Sequence, residues 1–225
     1  MSMLIKFLVA AVGAGTPLLF GTIGEILTEK TGHLNLGVEG MMSIGACIGF
    51  MAGYYTDNFL IALLAGAAAG ALGALIYAFL TVTFMANQNV TGLTLTIFGI
   101  GFANFIGIFV LSKSPEGTLK LPEKITTVMR GGNIPVLSKL PVVGELLFSY
   151  SPFVYIGIAI AVACAWYLNH TKAGLNLKAV GENPGAADAA GIKVTIVKYA
   201  NIILGGAICG IGGVYCSMII NGGVW

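Results

Sequence analysis

The residues with chemical potential in this chain are few, and three groups of them stand out. Asn35 and Glu39 lie in the run Thr31-Gly32-His33-Leu34-Asn35-Leu36-Gly37-Val38-Glu39-Gly40-Met41-Met42, at the edge of an apolar stretch. Four residues apart, they share a helix face if that turn is helical. An ionisable residue inside a membrane span carries a functional expectation, because it faces a bundle interior or a water-filled path. The neighbouring glycines allow a broken helix, which is tolerated where backbone lines a cavity. The competing reading leaves Glu39 in the interfacial layer, where its charge costs little. Glu25, near the end of the preceding apolar stretch, reads as interfacial.

The second group is Asn89, Thr91 and Thr94, which belong to Met85-Ala86-Asn87-Gln88-Asn89-Val90-Thr91-Gly92-Leu93-Thr94. Three consecutive amides read first as a tight polar turn between two spans. The alternative makes them the polar start of the next helix, reaching a translocation path. Neutral amides and hydroxyls suit a polar, uncharged solute, because they donate and accept hydrogen bonds without a charge. Asn104, in mid-span, and Asn201, at the start of the last apolar stretch, are of the same kind. For both, hydrogen-bonded glue between helices is an equal alternative.

The third group is a short helix in a polar connection. In Ala179-Val180-Gly181-Glu182-Asn183-Pro184-Gly185-Ala186-Ala187-Asp188-Ala189-Ala190-Gly191-Ile192, Asn183 can cap a helix and Pro184 suits its first position, where no amide hydrogen is needed. Gly191 suits the left-handed residue just past the end. About two turns are too short to stand alone in water. Such a helix needs tertiary contacts, and its small side chains would let a partner surface approach closely. An incidental loop helix packed on its own protein is the plainer reading.

Other chemistry is missing. No G-x-x-x-x-G-K-[ST] loop occurs, so no nucleotide site of that type is expected. His33 and His170, the two histidines, sit in different connections, and no H-E-x-x-H or serine-nucleophile pattern is present. No catalytic residue, metal site or cofactor is expected. Arg130, the single arginine, gives little for clamping phosphate. Cys47, Cys164, Cys209 and Cys216 lie in apolar runs without a C-x-x-C pair and read as small apolar fillers.

The elements that must position these groups are membrane helices. Of 225 residues, 57% are hydrophobic and only 9% charged, against about 25% charged in a soluble domain. The 33 glycines agree, because membrane helices use glycine to bring backbones together. A net charge of +2 is too small to suggest nucleic acid. A span needs about 20 apolar residues, and about six candidates appear, at roughly 7–27, 36–55, 59–85, 92–111, 152–168 and 199–220. The expected fold is an all-α polytopic transmembrane bundle forming one domain over 1–225. Gly66, Gly70 and Gly73 mark one face of the third span, and Gly206, Gly210 and Gly213 mark the sixth. Two long connections remain, 112–151, rich in proline, and 169–198. With one span between them they lie on opposite sides, and lysine density weakly favours 169–198 as cytoplasmic.

These residues resemble the membrane permease subunits of bacterial ABC importers, in the superfamily of ribose and branched-chain amino acid permeases. The likeness is strongest to the branch for nucleosides and simple sugars. It is carried by the stretch from Gly24-Glu25-Ile26 through Met41-Met42, by Thr171-Lys172-Ala173-Gly174-Leu175 through Gly191-Ile192, and by the glycine-rich Gly205-Gly206-Ala207 to Gly212-Gly213. The resemblance implies a type II-like permease that moves a small neutral polar solute by alternating access. It makes Gly181, Glu182, Asn183, Pro184, Ala186, Ala187, Asp188 and Gly191 a cytoplasmic coupling helix seated on an ATP-binding subunit. It places 169–198 inside and 112–151 outside, and counting back puts the N-terminus outside unless one segment is re-entrant. It also implies a second permease subunit, an extracytoplasmic solute-binding lipoprotein, and a plasma-membrane location among lipids. The energy would come from the ATP-binding subunit, with no covalent chemistry in this chain. Family members continue for several more spans, so the expectation is a C-terminally truncated chain. An ion-coupled secondary transporter, with Glu39 as its carboxylate, is the alternative.

Overall fold

The computed structural model describes residues 3–114, 117–130 and 150–225. Its helices are α1 (Met3–Glu29), α2 (Val38–Thr56), α3 (Phe59–Ala78), α4 (Gln88–Leu111), α5 (Glu123–Arg130), α6 (Pro152–His170), α7 (Lys172–Glu182), α8 (Pro184–Ala189) and α9 (Val194–Tyr215). Helices α3 and α9 each run on into one wider turn of π type, Phe79–Thr83 and Cys216–Ile220. Among the described residues the only extended pairing is an isolated bridge between Lys120 and Val224.

By length and composition, five helices among the described residues are able to cross a membrane; α2 falls outside that group. Its 19 residues still extend about 28 Å at 1.5 Å per residue. Its course settles how it runs. One end of the bundle gathers residues 30–34 with Gln88, Gly181 and Tyr199: Leu34 N donates to Gln88 Oε1 at 2.8 Å, and the Thr83 and Tyr199 hydroxyls share a hydrogen bond of 2.5 Å. The other end joins 119–121 to 223–225, with Leu121 N to Gly223 O at 2.9 Å and Trp225 N to Leu119 O at 3.0 Å. A Cβ on Gly53, near the end of α2, would lie 3.3 Å from Leu121 Cδ2. Helix α2 therefore runs from one end to the other like its neighbours, which gives six lengthwise helices among the described residues. Its low hydropathy follows from its place. Gly40, Gly45, Gly49 and Gly53 are buried against other helices, so α2 has little need of large apolar side chains.

The packing sorts residues by size. On α3 the buried face is Ala62, Gly66, Ala69, Gly70, Gly73, Ala74, Tyr77 and Ala78. Leu60, Leu64, Leu72, Leu75 and Ile76 are exposed. In a bilayer there is no hydrophobic gain from hiding leucine among helices, so close backbone approach takes the interior. Gly210 of α9 is one tight example: a Cβ there would collide with the Gly66 carbonyl and lie 3.1 Å from Gly70 Cα. Of the glycines read from the sequence on the third and sixth spans, Gly66 and Gly70 meet Gly206 and Gly210 here, while Gly73 and Gly213 face α2.

Pro17 lies inside α1 and has no amide hydrogen to give the Gly13 carbonyl. The Tyr215 hydroxyl donates to that carbonyl at 2.8 Å. Leaving a buried acceptor without a partner costs about 1–3 kcal/mol. Tyr215→Phe is expected to destabilise the bundle by about that much, read as a lower thermal midpoint in detergent. Adding Pro17→Ala, which returns an amide donor to Gly13, should recover part of the loss.

The connection 112–151 is not a simple solvated loop in its described part. Leu119, Leu121 and Ile125 are buried in the main apolar cluster with Phe50 and Met218, so the segment caps the bundle end. Its prolines at 115, 135 and 141 and Lys139 lie outside the described residues.

Candidate coupling helix and polar cavities

Helix α8 forms as its sequence requires. Asn183 Oδ1 accepts from Ala186 N at 3.0 Å, and Pro184 opens the helix. At the other end Gly191 takes φ +83°. Gly191 N donates to Asp188 O at 2.8 Å and Ile192 N to Ala187 O at 3.0 Å, the paired bonds of a Schellman end. Glu182, Asn183, Pro184, Ala186, Asp188 and Gly191 are exposed. Two members of the sequence-based set face inward. Ala187 is 4% exposed. A Cβ on Gly181 would collide with the Lys30 carbonyl, so Gly181 seats the segment on the turn after α1. These two hold α8 in place, and the other six are open to solvent.

Sequence reading did not resolve α7, which delivers α8. Thr171 caps it, with its Oγ1 accepting from Gly174 N at 3.0 Å and donating to Tyr167 O at 2.7 Å. The signal was present: Gly174, Leu177 and Val180, all buried, recur every three residues behind a threonine cap. Beside this assembly His33 is buried, and its Nδ1 lies 3.2 Å from Thr31 Oγ1. Burial lowers the His33 pKa, with the Lys198 charge adding to the effect, so the neutral ring is favoured.

The candidate pathway residues do not converge on one site. Asn35 and Glu39 do not share a helix face, because α2 begins only at Val38 and Asn35 belongs to the preceding turn. There its Oδ1 accepts from Gly37 N at 2.8 Å. Both residues nevertheless line a cavity of about 360 Å³ together with Thr22, Glu25 and Met42. Glu39 is exposed, so the carboxylate turned inward is Glu25. Its Oε1 accepts from Asn35 N at 2.7 Å, and its Oε2 is buried with no hydrogen-bond partner. Glu25 is half-buried because the turn after α1 folds back over it.

Thr91 and Thr94 line a separate cavity of about 330 Å³ between α3 and α4. The Thr94 hydroxyl is already spent on Val90 O at 2.8 Å. Asn89 sits on the exposed first turn of α4. The amide run contains both a turn and a helix start: Met85 turns at φ 52°, and Asn87 caps α4 by accepting from Val90 N at 3.1 Å. Asn104 lines a third cavity toward the opposite end of the bundle. Asn201 is glue: its Oδ1 accepts from the Tyr167 hydroxyl at 3.0 Å, joining α9 to α6.

Among the described residues, six lengthwise helices, several of them packed through small residues, with a capped helix presented at one end, define a multi-pass helical membrane protein. Residues 7–225 match the family described as branched-chain amino acid transport system / permease component, and the chain belongs to that family. It is 35% identical over 98% of its length to a putative glucose ABC transporter permease protein, TsgC13, of Haloferax volcanii. It is 34% identical over 92% of its length to the nucleoside ABC transporter permease protein NupC of Lactococcus lactis subsp. cremoris. To the guanosine ABC transporter permease protein NupQ of Bacillus subtilis it is 35% identical over 90%. The aligned parts cover 65%, 65% and 64% of those three relatives. No solved structure matches the chain.

Proposed function

We propose that the chain is a membrane permease subunit of an ATP-driven ABC importer that moves a small neutral polar solute, a nucleoside or simple sugar, by alternating access. The observation that carries this reading is α8: capped at both ends, anchored by Ala187 and Gly181, and exposed on the rest of its surface. A helix of six residues has no independent stability to spend on a free surface, and its small side chains fit a groove in an ATP-binding subunit. The relatives, named for glucose, nucleosides and guanosine, support the solute class. On this reading the α8 end is cytoplasmic and the 119–121/223–225 end extracytoplasmic, with the N-terminus on the extracytoplasmic side. A solute-binding lipoprotein delivers to that outer side, a second permease subunit completes the pore, and the chain itself catalyses no covalent step.

Crosslinking tests the assignment. A cysteine replacing Asp188 is expected to crosslink to the ATP-binding subunit in the assembled complex, above the level given by the four native cysteines. The same replacement at buried Ala187 should not. Crosslinking of position 188 to the solute-binding protein instead would reverse the orientation and end the proposal.

An ion-coupled carrier is the second reading, and Glu25 is the observation that favours it, with one carboxylate oxygen unpaired beside a cavity. Uptake that survives ATP depletion and collapses with the ion gradient would establish it.

A further inference from the structure

We propose that the cleft formed by α2, α4 and the turn after α9 holds the sugar ring of the solute, whether a free hexose or the ribose of a nucleoside. This rests on the importer reading above and adds a recognition site to it. The cleft has a volume of about 160 Å³ and is lined by Ser43, Asn104, Cys216, Ser217, Asn221 and Trp225, among others. That is well below the roughly 300–1,000 Å³ of pockets for drug-sized ligands. It has room for one ring and not for a ring plus a purine.

The chemistry of the lining matches a polyhydroxylated ring. The Asn104 and Asn221 side chains are exposed, and among the described residues neither they nor Trp225 Nε1 makes a hydrogen bond. Each carboxamide offers donors and an acceptor, which a hydroxyl, itself both, can use together. The hydroxyls of Ser43 and Ser217 already donate to the Glu39 and Val214 carbonyls at 2.8 and 3.2 Å, so they add acceptors. The Trp225 indole adds an apolar surface for the C–H face of the ring. The named lining carries no charged side chain, which disfavours an anionic sugar phosphate.

The site is built and not an accident of loose chain. Gly107 makes room for the indole, since a Cβ there would overlap Trp225. The ring packs on Phe50 with centroids 5.5 Å apart, and Trp225 N is fixed to Leu119 O at 3.0 Å. Asn104 also lies seven residues before the end of α4 at Leu111, about 10 Å inward at 1.5 Å per residue. An unpaired amide at that depth is costly against lipid and is satisfied by a wet, solute-bearing cleft. Its position toward the 119–121/223–225 end makes it an entry station.

Equilibrium binding to the complete transporter in nanodiscs tests this, with radiolabelled glucose and radiolabelled guanosine as probes. At least one should bind saturably, and at least tenfold more weakly to Asn104→Ala/Asn221→Ala of unchanged thermal midpoint. Binding of glucose alone assigns a hexose. Guanosine displaced by ribose and not by guanine assigns the ribose of a nucleoside. Should the double variant fail to assemble, Asn104→Asp and Trp225→Phe, tested singly, are each expected to weaken binding. Saturable binding of neither probe, displacement by guanine alone, or parent-like affinity in these variants overturns the proposal. ATP-driven uptake by the same transporter in sealed proteoliposomes separates the two claims: if it persists while binding is absent, the cleft is lost and the importer reading stands.

Discussion

Ala186→Trp is expected to abolish coupled uptake, lowering the rate at least tenfold, while the protein keeps its thermal midpoint and the complex keeps basal ATP hydrolysis. Ala186 is exposed, so an indole there can turn to solvent in the chain itself. In a groove cut for alanine and glycine, however, a tryptophan has no room. Central contact positions of an interface carry about 2 kcal/mol or more each, roughly 30-fold in affinity at 1.4 kcal/mol per factor of ten. Ala187→Trp separates this from a folding defect. Ala187 is buried, so its replacement should lower the midpoint as well. Paired measurements of uptake, ATP hydrolysis and melting on the two variants check the expectation. Normal transport by Ala186→Trp would mean that α8 touches no motor.

Gly210→Val is expected to produce a severe loss of stability, with little folded protein recovered after detergent extraction. Overpacking a tight core costs about 1–3 kcal/mol where side chains can move aside. At Gly210 the obstacle is the Gly66 carbonyl and the Gly70 backbone, which cannot rotate away. The helices must separate, and the contacts on either side of the crossing are lost with them. Gly101→Val is the control, because nothing lies within 4 Å of a Cβ there. Size-exclusion profiles and melting midpoints of the two variants decide the matter: similar behaviour would show that the α3–α9 crossing is not close-packed in solution.

The features legible in the sequence are those set by local chemistry. Asn183, Pro184 and Gly191 announce both ends of α8, because a cap, a first-turn proline and a left-handed residue each have one physical use. The glycine spacing of the third and sixth spans announces their buried faces for the same reason. What could not be read depends on partners far away in the chain. Glu25 is turned inward by Asn35, ten residues on. The Gly13 carbonyl is relieved by Tyr215, 202 residues on. The Trp225 cleft needs α2 and α4 beside it. Asn104 was picked out as a polar residue at depth, but its companions Asn221 and Trp225 lie beyond the last span and gave no local signal. Glu39, close to or inside an apolar span, reads in the sequence as the stronger candidate, but a turn that reverses the chain between the two buries Glu25 instead.

The seat of Gly181 on Lys30 has a mechanical meaning. Backbone rests directly on backbone, with no side chain between to flex or swing out of the way. A stroke delivered at α8 would therefore pass undamped into the corner between α1 and α2. Five residues past Lys30 in that corner is the amide that Glu25 holds, so the carboxylate stands at the far end of a stiff pushrod.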